Sequence, residues 1–380
     1  MNKLECVELR ECKAFLIQVP LKRPHKTSHG EVSHQRSVVV ILETVEGFTG
    51  VGQVDPVPKY SVETPEEICL IINSYIRPML VNKQVFSVSS IMDEIYENFP
   101  DPLHLEAKAA VEMALYDLIG KVRKLPVYKM IGKLYRENIP VVGWIGQVPP
   151  ETAGKEAINK LEEGYRALKV KISSNVDDIE RIAKIREAVG YSVELRADAN
   201  EALIPITLLK KLERYELKWI EQPAPRRHIH YLAKIRNKID IPILVDESVS
   251  DIHSLINIIK EEAADYIKLK VMKQGGISSV MKMIDICKAC NMKCTIGHGF
   301  NMGISASAEL HVIAASSTNI VEDVNEVGGP PDKMSDDIVS NQLEFSRGFF
   351  KVNDRPGLGV EISEEKLRKY LRGDHGIYKS

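Results

Sequence analysis

Between residues 167 and 270 the chain repeats one pattern: a short apolar run, a charged residue at its end, and then a longer stretch of helix-like character. The runs are Ala-Leu-Lys-Val-Lys, Val-Glu-Leu-Arg-Ala-Asp, Leu-Lys-Trp-Ile-Glu, Ile-Pro-Ile-Leu-Val-Asp and Tyr-Ile-Lys-Leu-Lys, ending at Lys171, Asp198, Glu221, Asp246 and Lys270. The end residues are spaced by 27, 23, 25 and 24 positions. A strand, a helix and two turns need about that many residues. The pattern therefore predicts parallel strands of a closed (β/α)8 barrel, whose C-terminal strand ends converge on one mouth.

The flanks read differently. Ala14–Val19 and Ser37–Thr44 are Val- and Ile-rich runs, and the turn Glu46-Gly47 leads into a third strand ending at Gly52, so three antiparallel strands open the chain. The polar stretch 23–34, rich in turn formers, reads as a loop. From Thr64 to Lys121 the pattern is helical, with Leu105, Ala109, Glu112, Tyr116 and Ile119 advancing in steps of three and four. Ile139–Trp144 is the expected first barrel strand, Met292–Gly297 the seventh and Ile320–Val324 the eighth. The expected division is an α+β domain over 1–130, a barrel over 131–345 and a polar C-terminal segment over 346–380.

Three carboxylates and two amines at neighbouring strand ends would share one small site. Carboxylates that close repel unless a cation lies among them, and oxygen ligands on rigid strands suit Mg2+ or Mn2+. Asp198, Glu221 and Asp246 are the candidate ligands, with Asn200 and Glu247 as residues that orient them. Lys171 and Lys270 leave the second and sixth strands, on opposite sides of the barrel. An amine would therefore face each side of a substrate carbon next to a carboxylate, which suits abstraction of the α-proton. An ordinary lysine is protonated at pH 7; Lys169, two residues before Lys171 on the same strand face, and a nearby cation supply the positive charge that would free the base of its proton. Lys268 stands in the same relation to Lys270, and a salt bridge to a neighbouring strand's acid is its simplest role. His298, at the end of the seventh strand, reads either as a pocket residue that hydrogen-bonds substrate or as a satisfied structural histidine. Glu322 and Asp323 point to opposite faces of the eighth strand, so one of them should look into the pocket.

The order Lys-x-Lys, Asp, Glu-Gln-Pro, Asp-Glu-Ser, then Lys followed by Gly-Gly resembles the enolase superfamily, and within it the muconate-lactonizing-enzyme subgroup of the mandelate racemase/muconate lactonizing enzyme family. The likeness extends to Ala114–Lys121 before the barrel and Pro356–Val360 after it. It implies an N-terminal capping domain, completed by the C-terminal segment, whose loops fold over the barrel mouth and select substrate. His25, His29 and Tyr60 fall in those loops and would touch substrate and not metal. It also implies Mg-dependent chemistry through an enediolate: racemisation or epimerisation, syn-dehydration, or cycloisomerisation. Asp323-Val324-Asn325 resembles the Asp-x-Asp motif with which dipeptide epimerases hold an ammonium group, with Asn for the second Asp. A free acid at the eighth strand favours racemase or epimerase action on an amino-acid derivative. A barrel that binds metal and ligand without catalysis is the reading from another class, but such a protein would not need a base on each face.

Composition closes other routes. With 51 basic and 53 acidic residues the net charge is -2, so there is no basic field for nucleic acid or an anionic membrane surface. A small-molecule carboxylate is the expected partner, in a homo-oligomer. The first residues interleave charge with apolar side chains, unlike a signal peptide, and six cysteines in 380 residues make no disulfide scaffold. A cytoplasmic enzyme with reduced thiols is expected. Cys287, Cys290, Cys294 and His298 have zinc-like spacing, but a helix and a strand would hold them apart.

Overall fold

The computed structural model describes residues 6–27, 30–328 and 333–373. Four antiparallel strands form the N-terminal sheet: β1 (Val7–Thr27), β2 (Gly30–Thr44), β3 (Thr49–Val54) and the short β4 (Gln84–Val85), in the order β3-β2-β1-β4. The stretch expected as a loop is instead the far end of the β1–β2 hairpin, where His25 pairs with Val32 and Thr27 with Gly30 beyond a register shift after Pro20. Its polar composition hid this backbone pairing in the sequence.

The helix Leu105–Arg123 lies directly on β3. Its alanines and the glycines of the strand permit this approach: a Cβ on Gly52 would stand 2.0 Å from the carbonyl oxygen of Ala110. A preceding helix, Pro65–Ile71, begins in a capping box, with Thr64 Oγ1 accepting from Glu67 N–H and the Glu67 carboxylate accepting from Thr64 N–H.

Asn138–Pro140 is β5, and it does not enter the barrel; the barrel begins at β6 (Gly143–Ile145). The expected first strand is thus two pieces. Parallel strands follow in order: β7 (Ala167–Lys171), β8 (Glu194–Asp198), β9 (Ile220–Glu221), β10 (Ile243–Val245), β11 (Tyr266–Leu269) and β12 (Lys293–Ile296). Helices between them pack on the outer face. The eighth position is an irregular segment that closes the ring through two parallel bridges, Cys294 to Val321 on one side and Val141 to Asn325 on the other. This is a (β/α)8-type barrel with one seam.

The last strands, β13 (Phe345–Ser346) and β14 (Phe349–Lys351), bring the chain back, and β14 pairs with β5. Beyond them, Leu358 N–H donates to the buried Asp117 carboxylate, which also accepts from Val51 N–H. Asp117 thus ties the helix Leu105–Arg123, β3 and the C-terminal segment together. Among the described residues no helix is long and apolar enough to cross a membrane.

Candidate active site

The charged strand ends converge as the interval predicts. Asp198 and Glu221 are direct register partners on β8 and β9, and Asp246 follows β10 by one residue. All three are buried. Lys171 Nζ lies 2.6 Å from Asp198 Oδ2 on one wall, and Lys270 Nζ lies 2.7 Å from Asp246 Oδ2 on the other. Strands β8, β9 and β10 stand between the two amines.

Lys169 Nζ touches Asp198 Oδ2 at 2.8 Å, Glu221 Oε2 at 2.7 Å and Glu326 Oε2 at 2.8 Å. Lys268 Nζ reaches Glu221 Oε1 at 2.9 Å and also binds Glu326. Burial pushes the Asp198 carboxyl up, but Lys169, Lys171 and Lys268 outweigh it and hold the group far below the usual carboxylate range. Burial, Asp198 and Glu326 push Glu221 up to about 7, against Lys169 and Lys268. Burial brings Lys270 down to about 8, with Lys268 and Lys273 adding to the effect and Asp246 opposing it.

The turns after the strands set these groups. Asn200, in the left-handed region at φ 42°, donates its backbone N–H to Asp198 Oδ1 and its side-chain amide to Glu247 Oε1, and accepts from Lys171. Gln222, also at φ 42° and buried, accepts from the backbone N–H groups of Asp246 and Ser248. Gln274 accepts from Lys270 N–H at 2.6 Å and donates to the carbonyl of Val249.

Tyr60 enters from the N-terminal domain, donates to Asp246 Oδ1 at 2.7 Å, and is also hydrogen-bonded to Lys270. It therefore touches a candidate metal ligand as well as lining the pocket where substrate is expected. His298 lines the pocket and is buried; burial, Lys270 and Lys333 hold its ring well below its ordinary pKa. Its Nδ1 accepts from Phe300 N–H, so the neutral ring carries its proton on Nε2 and can donate there.

Two candidates lie elsewhere. Glu322 pairs with Lys218 at 3.2 Å and Lys293 at 3.4 Å, and Asp323 is 70% exposed beside Arg136. The eighth segment is not a regular strand, so alternation from its start does not reach the pocket; the acid it sends inward is Glu326. The side chain of His25 and the whole of His29 lie outside the described residues.

Sequence reasoning passed over Glu326, Trp144, Phe300 and Lys333. Trp144 is the register partner of the inward-facing Lys169 and was detectable as the large aromatic of the first barrel strand. Glu326 and Lys333 belong to irregular backbone with no period to reveal them. Of the cysteines with zinc-like spacing, Cys287 and Cys294 are buried and Cys290 is exposed, and all three are free thiols.

The donor set fits a hard divalent cation. It offers carboxylate oxygens from three successive strand ends, and the buried Glu247 Oε2 beside them has no hydrogen-bond partner. Among the described residues no three acidic, histidine or cysteine side chains are already gathered around one point, and each of the three carboxylates carries an ammonium contact.

Residues 11–132 match the mandelate racemase/muconate lactonizing enzyme N-terminal domain, and residues 153–366 match the enolase C-terminal domain-like family. The N-succinyl-L-Arg/Lys racemase of Bacillus cereus is 32% identical over 363 residues, covering 93% of this chain and 95% of the relative. Its crystal structure superposes with a TM-score of 0.90, covering 96% of this chain and 98% of the other. The L-Ala-D/L-Glu epimerase of Bacillus subtilis is 31% identical, with 90% and 94% covered. Muconate cycloisomerase 1 of Rhodococcus opacus is 28% identical, with 94% and 96% covered.

Proposed function

The chain belongs to the mandelate racemase/muconate lactonizing enzyme family of the enolase superfamily, and from that premise we propose that it racemises or epimerises an N-acylated amino acid, one of Lys171 and Lys270 taking the α-proton and the other delivering a proton to the opposite face. The observation that carries the reading is the placement of these two amines on opposite walls of one pocket, with the carboxylates of β8, β9 and β10 between them.

Members of the superfamily use Mg2+. Here Asp198, Glu221 and Asp246 would hold it, and when bound it neutralises charge that develops on a substrate carboxylate. The protein's own side chains do the rest. One lysine removes the α-proton from its face while the other, protonated, returns a proton to the opposite face, and the planar carbon between the two steps loses its handedness. Lys169 holds the Asp198 and Glu221 carboxylates, and Lys268 holds Glu221 from the other side, so the proposed metal ligands are fixed in place. His298 can donate from Nε2 to a substrate oxygen.

The amide form is favoured over a free amine. The acids expected to hold an ammonium group, Glu322 and Asp323, are absent from the pocket wall, where Lys333 stands instead. The names of the Bacillus relatives, a racemase of N-succinyl amino acids and an epimerase of a dipeptide, point to the same class of amide-bearing substrate.

Incubation with N-acyl amino acids and Mg2+ in D2O tests the reading. Deuterium should enter the α-position of both enantiomers. Turnover of cis,cis-muconate with no α-exchange in any N-acyl amino acid would overturn it in favour of cycloisomerisation.

A further inference from the structure

Where the N-terminal sheet meets the barrel helix Gly303–Ala314, the join holds a layer of buried polar side chains. On β3, Gly50 and Gly52 face the helix Leu105–Arg123, so alternation turns Val51, Gln53 and Asp55 toward the barrel. Asp55 lies at the start of the barrel helix, where it accepts from Met302 N–H at 3.1 Å and from the Ser305 hydroxyl. Val51 lies farther along that helix: it shares the Asp117 carboxylate with Leu358, whose carbonyl accepts from Ser307 and His311. Gln53, between the two, therefore stands beside the stretch from Ser305 to Glu309.

The directions of the hydrogen bonds leave three oxygens over. The Asp55 carboxylate can only accept, so it draws the amide nitrogen of Gln53 to 2.9 Å and turns the amide oxygen away. Ser305 gives its one hydroxyl proton to Asp55 and accepts from the Asn301 amide nitrogen at 3.4 Å, which turns the Asn301 oxygen away as well. Glu309, one turn after Ser305 on the same helix, accepts from His298 N–H at 3.1 Å through Oε2. Gln53 Oε1, Asn301 Oδ1 and Glu309 Oε1 are buried and take no hydrogen bond, and all three are acceptors. The layer also carries surplus negative charge. Asp337 accepts from Gly303 N–H at 3.0 Å and Ile338 N–H at 2.7 Å, and among the described residues neither it nor Asp55 nor Glu309 forms an ion pair. Burial above all, with Asp55 adding to it, pushes the Glu309 carboxyl up to about 8, against the His298 N–H and Lys270.

We propose that this layer binds one monovalent alkali cation through Gln53 Oε1, Asn301 Oδ1 and Glu309 Oε1, at a site separate from the proposed Mg2+ ligands on the strand ends. Buried acceptors without partners are costly, and a proton on Glu309 would supply one donor where three oxygens lack one. A cation takes all three at once and offsets the charge of the neighbouring Asp55 and Asp337. One carboxylate and two neutral amide oxygens form a ligand set of low charge, which suits a monovalent ion better than a divalent one. Its ligands come from both domains. Through Glu309 and Asn301 the ion fixes the segment 298–302, which brings His298 and Phe300 to the pocket wall.

The test is equilibrium urea unfolding of the full-length protein at saturating Mg2+, in sodium, potassium or tetramethylammonium chloride at one fixed ionic strength. The bulky tetramethylammonium ion keeps the screening and cannot enter the layer. Sodium or potassium should stabilise the wild type relative to it, and above the dissociation constant each tenfold rise in the favoured ion should lower the unfolding constant about tenfold. Glu309→Gln removes the ligand charge while keeping the shape of the side chain, and should abolish that dependence. Should this variant fail to fold, Gln53→Met, which removes one neutral ligand, should weaken the dependence instead. Equal stability of the wild type in all three salts overturns the proposal and leaves the layer to a proton. An alkali dependence that survives undiminished in the folded variant overturns it too, by placing the ion elsewhere. Since unfolding is read without substrate, neither result bears on the proton-transfer reading of the pocket.

Discussion

Lys169 and Lys268, from β7 and β11, donate to the same two carboxylates, Glu221 and Glu326. The four side chains form a closed square across the barrel interior, with Arg196 behind Glu326 at 3.9 Å. Removing one member leaves an uncompensated buried charge, which typically costs about 3–5 kcal/mol, whereas removing an opposite pair leaves the square balanced. Lys268→Met should therefore be strongly destabilising by urea denaturation. Lys268→Met combined with Glu326→Gln should cost clearly less than the two single changes added together. Strict additivity would show that the square is not a coupled unit.

Glu221 is the middle of the three proposed metal ligands and the one shared with the square. Glu221→Gln should weaken Mg2+ binding severely, as read by calorimetry, and abolish α-proton exchange. Undiminished affinity for Mg2+ in this variant would remove Glu221 from the ligand set.

The two amines should be separable by stereochemistry. Lys171→Ala is expected to lose α-exchange with one enantiomer and Lys270→Ala with the other, each by at least the 10²–10⁴-fold typical of general acid–base help. Racemisation should fail in both. Losses below about tenfold in both variants would show that neither amine takes the proton.

How much of this was legible in the chain depends on what carries each feature. The barrel and the convergence of Lys171, Asp198, Glu221, Asp246 and Lys270 follow from a regular interval, because each unit of strand and helix has a nearly constant length. The hairpin over 23–34 was hidden because backbone hydrogen bonds hold it and its polar side chains resemble those of a loop. Glu322 and Asp323 drew attention by applying strand alternation to a segment that is not a strand. Glu326, which does face inward, lies where no period operates, and Lys333 is placed by pairing with β1, more than 300 residues away in sequence.

A pH effect is expected where the helix Leu105–Arg123 meets the barrel. Glu112 accepts from Ser278 N–H, and Gly276, at φ 119°, leaves it space: a Cβ there would lie 2.1 Å from Glu112 Oε2. Burial pushes the Glu112 carboxyl from its ordinary 4.5 up to about 7, with Ser278 opposing. The folded state thus holds this proton more tightly than the unfolded chain, so the stabilisation is complete below pH 4.5 and disappears as pH rises through 7. Glu112→Gln should flatten that part of the dependence, measured as urea midpoints across the interval. An unchanged slope would place the titrating group elsewhere.

The seam at the eighth position bears on how this enzyme could evolve. Active-site charges are usually a burden on stability, so replacing them tends to make a protein firmer at the expense of its activity. Here the segment at that position is joined to its neighbours by backbone hydrogen bonds such as Glu322 N–H to Cys294 and Val142 N–H to Asn325, and the Glu326 side chain also fastens it to Lys169 and Lys268. The groups that shape the chemistry are also the clasp of the barrel. Selection for a sturdier fold and selection for a charged pocket floor would then favour the same residues, and a drift toward new substrates would find its freedom in the walls, at positions such as Phe300 and Lys333.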